Sequence, residues 1–187
     1  VVRYAAVLGT VIDEDVLETL LVAHAPGWPD DQREELARAN VRSLRRLGSL
    51  FVHDGERLRF RHTLIRDVAY EGLAFSRRQV LHDRAGRAIE AAARSPEEQC
   101  ELLSRHFFHA RRFDKAWHYS VVAGERARTK FANAEAIDFF QRAVESARRA
   151  SDVPQSEVAR VLELLGDARA LAGLPAQAAD AFRQARR

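Results

Sequence analysis

At 187 residues, with 47% apolar and 30% charged side chains, the chain is long enough for one large domain or two small ones, each with a real core. No run approaches the roughly 18 apolar residues that a membrane span needs, and the single cysteine, Cys100, excludes an internal disulfide and fits a reducing, cytoplasmic setting. Net charge is only +3, and the arginines are interleaved with Asp and Glu, an arrangement that describes a solvated surface unless one face gathers them. The chain begins at Val1 and contains no methionine, so a piece of a longer protein is expected.

The first part predicts short helices followed by a hairpin. "RYAAVLG" is a brief apolar helix ended by Gly9. "DEDVLETLLVAHA" has an acidic start and places Leu17, Leu20 and Leu21 on one face, and "PGWP" breaks it. "DDQREELARANVRSLRRLGSL" has acids in its first turn and arginines in its last, as the helix dipole favours. Its expected buried stripe is Leu36, Ala39, Val41, Leu44 and Leu47. In "LFVHDGERLRF" two alternating runs flank Asp54-Gly55, a strong hairpin signal. Three helices and a two-stranded wing, with a helix resuming at His62, give a winged-helix domain over residues 1–75.

From Thr63 onward every segment predicts helix. "LIRDVAYEGL" and "RRQVLHDRAGRAIEAAA" are amphipathic, and "SPEE" offers Ser95 as a cap with Pro96 and two acids in the first turn. Helices follow at residues 97–110, 114–130, 133–150, 157–171 and 176–186. Gly124, Ala136, Phe140 and Ala143 recur 42 residues later as Gly166, Ala178, Phe182 and Ala185. The spacing Gly-x11-Ala-x3-Phe-x2-Ala is that of a tetratricopeptide repeat with eight extra residues in the connection. Small Gly and Ala let paired helices approach, and Phe fills the gap between neighbours. Leu162 and Leu165 fit the repeat, Arg169 departs from its usual aromatic, and a looser upstream unit uses Leu103, Phe107 and Ala116. The predicted fold class is therefore mainly α: a winged helix with a short β-hairpin, then a tetratricopeptide-like superhelix over residues 76–187.

No catalytic constellation is present. No lysine follows a glycine, so there is no phosphate loop of the Gly-Lys-Ser/Thr kind. No paired cysteines or His-Glu-x-x-His exist for zinc. His106 and His109 lie three apart on a helix without a third ligand nearby. Asp13/Asp15, Glu34/Glu35 and Glu97/Glu98 sit at helix starts, where dipole complementarity accounts for them. Arg38, Arg42, Arg45 and Arg46 could meet nucleic acid if the third helix entered a major groove. Asp30, Asp31, Glu34 and Glu35 on the same helix would repel phosphate, which argues against that reading.

The succession "FRHTLIRDVAYEGLAFSRRQVLH", "ELLSRHFFHARRFDKAWHY" and "FANAEAIDFFQRAV" resembles the region after the ATPase module of bacterial signal-transduction ATPases with numerous domains, such as those fused to class III cyclases or to LuxR-type regulators. The resemblance implies a non-catalytic regulatory segment. It would have an ATPase module upstream that holds ATP or ADP, no cofactor of its own and no membrane contact. It also implies a role for His62, because in related switch ATPases a histidine at the wing-to-helix junction contacts the phosphates of ADP, and Phe60-x-His62 matches that pattern. The other reading has His62 capping or packing beside Arg66, Asp67 and Tyr70. By analogy with the repeat family, a concave face of His118, Val121, Glu125 and Arg128 with Glu163, Asp167 and Ala170 would receive a peptide or protein, its mixed charge favouring that over nucleic acid.

Overall fold

The computed structural model describes residues 1–24, 27–55 and 57–186. Pro26 of the expected break, Glu56 of the expected hairpin and the terminal Arg187 lie outside them. The described residues form ten α-helices and one three-stranded antiparallel sheet. They divide into two compact units, Val1–Ala92 and Ala93–Arg187.

In the first unit, α1 (Val2–Leu8) buries Ala5, Ala6, Val7 and Leu8 in succession and ends at Gly9, whose φ of 126° suits only glycine. The next three residues form β1 (Val11–Asp13), a strand the sequence does not announce. Asp13 then caps α2 (Glu14–His24): its Oδ1 accepts the backbone N–H of Asp15 at 3.1 Å and of Val16 at 3.2 Å. Leu17, Leu20 and Leu21 are buried as expected.

A 3-10 turn (Asp30–Gln32) leads into α3 (Arg33–Leu44). The stripe it buries is Ala37, Val41 and Leu44, spaced i, i+4, i+7. This corrects the expectation: Ala39 is on the solvent side, Leu36 is half-buried, and Leu47 falls beyond the helix end and is exposed.

β2 (Phe51–Asp54) and β3 (Arg57–Phe60) form the expected hairpin, with Gly55 at φ 61° in its turn. The sheet order is β1-β3-β2, so β3 is central: Leu58 pairs with Ile12 on one side and His53 on the other, and Phe60 pairs with Phe51. Ile12, Leu58, Phe51 and Phe60 all point into the core. α4 (Thr63–Glu71) and α5 (Phe75–Ala92) complete the unit. Leu81 and Ala85 of α5 are buried in the core shared by α1, α2 and the sheet. α5 therefore falls with the first unit, whereas the sequence reading begins the repeats at residue 76.

In the second unit, Ser95 precedes a 3-10 turn (Pro96–Gln99), and its hydroxyl meets the Glu97 carboxylate at 3.1 Å instead of capping backbone. Five helices follow: α6 (Cys100–His109), α7 (Phe113–Thr129), α8 (Asn133–Ala147), α9 (Gln155–Leu171) and α10 (Pro175–Ala185). Consecutive helices pack as neighbours. A Cβ on Gly124 would sit 2.5 Å from Cε1 of Phe140, and one on Gly166 would strike the same atom of Phe182. Both repeat glycines thus serve the same close approach. Ser104 and Ser120 share a buried 2.8 Å hydrogen bond, and Arg142 donates to Ser104 Oγ at 2.9 Å, which ties α6, α7 and α8 together.

Candidate functional site

His62 occupies the N-cap position of α4 immediately after the central strand, with extended backbone (φ −133°, ψ 137°). Its side chain is exposed and makes no capping hydrogen bond. The polar cluster expected around it forms without it. Arg66 donates to the carbonyl of Ala6 (Nε, 3.0 Å) and to Asp67 Oδ1 (2.9 Å). Tyr70 lies between two guanidinium groups, Arg66 at 4.6 Å and Arg78 at 4.7 Å from its ring centroid. The Tyr70 hydroxyl meets Nε2 of the buried His82 at 2.9 Å. Arg78 also donates to the carbonyls of Leu73 (2.8 Å) and Glu71 (2.8 Å), closing the turn between α4 and α5. Arg78 and His82 were not legible as members, because they reach Tyr70 from the next helix, across the turn between α4 and α5. On the outer side of α4, Leu64 and Val68 are exposed beside His62 in sequence.

The four arginines singled out on α3 and just beyond its end divide into two groups. Arg45 grips Glu14 (2.7 Å), and Arg38 pairs with Glu18 (2.8 Å) and Glu34 (3.1 Å), so these two link α3 to α2 or to its own first turn. Arg42 and Arg46 are exposed. A different basic row lies on β3, where Arg57 and Arg59 alternate with Leu58 and Phe60 and face outward. Arg61 continues the row and donates to the carbonyl of Gly48 at 2.9 Å.

In the second unit, His118, Arg128, Glu163, Asp167 and Ala170 are exposed, while Val121 and Glu125 are half-buried. The structure joins α7 to α9 through Arg160, which holds Glu125 at 2.7 Å and Glu157 at 3.1 Å. Arg160 stands 42 residues after His118, so the repeat offset marks it as the equivalent position. Glu125 is thus already engaged, leaving His118 and Arg128 on α7 with Glu163 and Asp167 on α9 as the exposed polar side chains of this face.

His106 and His109 do not converge: His106 is fully buried and His109 is exposed. Burial, followed by the nearby Arg105 and His109, pushes the His106 pKa down to about 3, so the ring is neutral at physiological pH. No cluster of three or more His, Cys, Asp or Glu able to hold a metal occurs among the described residues. Cys100 is buried, and burial raises its thiol pKa, which makes it an inert apolar filler. Among the described residues, no helix is long and apolar enough to cross a membrane.

No family model matches the chain, and no solved structure matches it. It is similar to an uncharacterized protein of Rhizobium meliloti (strain 1021), 29% identical over 168 residues. That alignment covers 88% of this chain but 16% of the relative, so the chain spans a small part of a much longer protein's length.

Proposed function

We propose that this chain is a non-catalytic regulatory segment of a multidomain signal-transduction ATPase. In this reading the first unit is a winged helix and the second a tetratricopeptide-like superhelix. The winged helix follows the nucleotide state of an ATPase module, and the helical pairs present the α7/α9 face to a peptide or protein. An attached cyclase or transcriptional effector is the output. Support for the first unit comes from its order of elements, helix–strand–helix–helix–hairpin, with β1 pairing onto the hairpin. Support for the second comes from the matched approaches of Gly124 to Phe140 and Gly166 to Phe182. The length of the Rhizobium meliloti relative accords with a segment of a larger protein.

The observation that carries the regulatory reading is the placement of His62. It is exposed at the start of a helix, uncommitted to a cap, and next to the exposed apolar side chains of α4. A helix N-terminus favours an anion, and a ring held there can reach a phosphate of a nucleotide bound by a neighbouring module. The test is His62→Ala in the longer protein that carries this segment. The expected outcome is weaker ADP retention and higher basal effector output, with the melting temperature of the present chain unchanged. ADP affinity equal to wild type would remove the nucleotide-sensing role.

A second reading, a DNA-binding regulator with a helical sensor, has the outward row Arg57, Arg59 and Arg61 in its favour. It predicts duplex binding by this chain that weakens steeply with salt. Absence of binding at low salt would dismiss it.

A further inference from the structure

The connections from α6 to α7, α7 to α8 and α9 to α10 are three residues each, whereas seven, residues 148–154, separate α8 from α9. Adjacent antiparallel helices need only a short connection, and every added ordered residue costs conformational entropy. Here the extra backbone forms a wall. With the start of α7 it encloses a cleft of about 450 Å³, within the size range of small-molecule sites.

The lining has two chemical characters. Phe113 and Trp117, one turn apart on α7, give it an aromatic side. Arg111 and Arg149 bring positive charge to the lining, and Asp114 and Asp152 negative charge. Trp117 is fixed by packing against the core of the second unit. Arg149 is oriented by Glu145 at 2.8 Å and lies 5.2 Å from the centroid of the Phe113 ring.

We propose that this cleft binds a small zwitterion with an aromatic body, an aromatic amino acid being its simplest form. A plain anion would meet repulsion from Asp114 and Asp152, and a plain cation from the two arginines. A ligand carrying one charge of each sign answers both pairs, its carboxylate on the guanidinium side and its ammonium on the carboxylate side. Its ring stacks on Phe113 or Trp117. The site shares no residue with the α7/α9 face and does not depend on a nucleotide-binding module.

The experiment is calorimetric titration of the full chain with L-phenylalanine and L-tryptophan, and in parallel with phenethylamine and 3-phenylpropionate. The amino acids are expected to bind about tenfold more tightly than either truncated analogue, the loss expected for one charge-assisted contact. Asp152→Asn is expected to weaken the amino acids and phenethylamine while sparing 3-phenylpropionate, and Arg149→Gln to do the reverse with the two analogues. Both side chains are exposed, and the analogue each variant spares reports that the cleft still forms. The proposal is overturned if none of the four compounds binds at millimolar concentration. It is equally overturned if 3-phenylpropionate binds as well as L-phenylalanine, or if neither substitution changes affinity.

Discussion

Gly124 on α7 lies so close to Phe140 on α8 that a Cβ there would be 2.5 Å from the ring's Cε1. Helix propensity alone favours Ala over Gly by about 1 kcal/mol in a helix interior. Overpacking a tight core costs about 1–3 kcal/mol, and it dominates here because Phe140 is fully buried and has nowhere to retreat. Gly124→Ala is therefore expected to lower the urea midpoint, against its propensity. Adding Phe140→Leu to Gly124→Ala should recover part of the loss. A midpoint that rises in Gly124→Ala would show that the close approach is not structurally required.

The strand-to-helix junction at Asp13 gives a second expectation. Its carboxylate accepts two backbone N–H groups of α2, from Asp15 and Val16. Asp13→Ala should cost about 1 kcal/mol, as N-cap losses do, while Asp13→Asn keeps the acceptor and most of the stability. Chemical denaturation of both variants distinguishes the cap from a general charge effect, which would make the two equal.

Much of this architecture was legible because it is written in periodicity. The 42-residue offset located Gly124, Phe140, Gly166 and Phe182, and the Asp54-Gly55 turn located the hairpin. β1 was not legible: three residues are too few for alternation to register, and Asp13 beside Asp15 looks like a helix start. The α3 stripe shifted because Ala37 is as small as Ala39, so composition could not rank the two faces. The cluster of Arg66, Asp67 and Tyr70 forms, but its further partners were hidden for a different reason. Arg66 and Tyr70 find partners in Ala6, Arg78 and His82, contacts set by how α1, α4 and α5 pack. No local spacing encodes those.

Buried His106 predicts a pH dependence. Its folded pKa of about 3 lies below the ordinary histidine value of 6.5, so between those limits the unfolded chain binds a proton that the folded chain refuses. Stability from this residue is complete above pH 6.5 and is lost as pH falls toward 3. The loss is about 1.4 kcal/mol per pH unit, or roughly 2 kcal/mol by pH 5. His106→Phe removes the titrating group, so its stability should fall less steeply between pH 7 and 5 than that of wild type, whatever its absolute value. Parallel stability–pH curves for the two proteins would contradict a neutral buried ring.

The three short helix–helix turns of the second unit share one backbone device. Arg112, Ala132 and Leu174 each donate to a carbonyl five residues back, from Phe107, Ala127 and Arg169. The residue before each donor is left-handed: Arg111 at φ 59°, Phe131 at φ 57° and Gly173 at φ 75°. Glycine suits such a position because it has no Cβ to clash. Phe131 has one, and the residue is 86% exposed, so it gains little burial in return. Phe131→Gly is expected to raise stability by about 1 kcal/mol, and Gly173→Phe to lower it by a similar amount. Thermal melts of the two variants test this as a pair. If Phe131→Gly melts below wild type, the ring contributes more to the folded turn than its exposure allows, and the assignment of the cost to its backbone conformation fails.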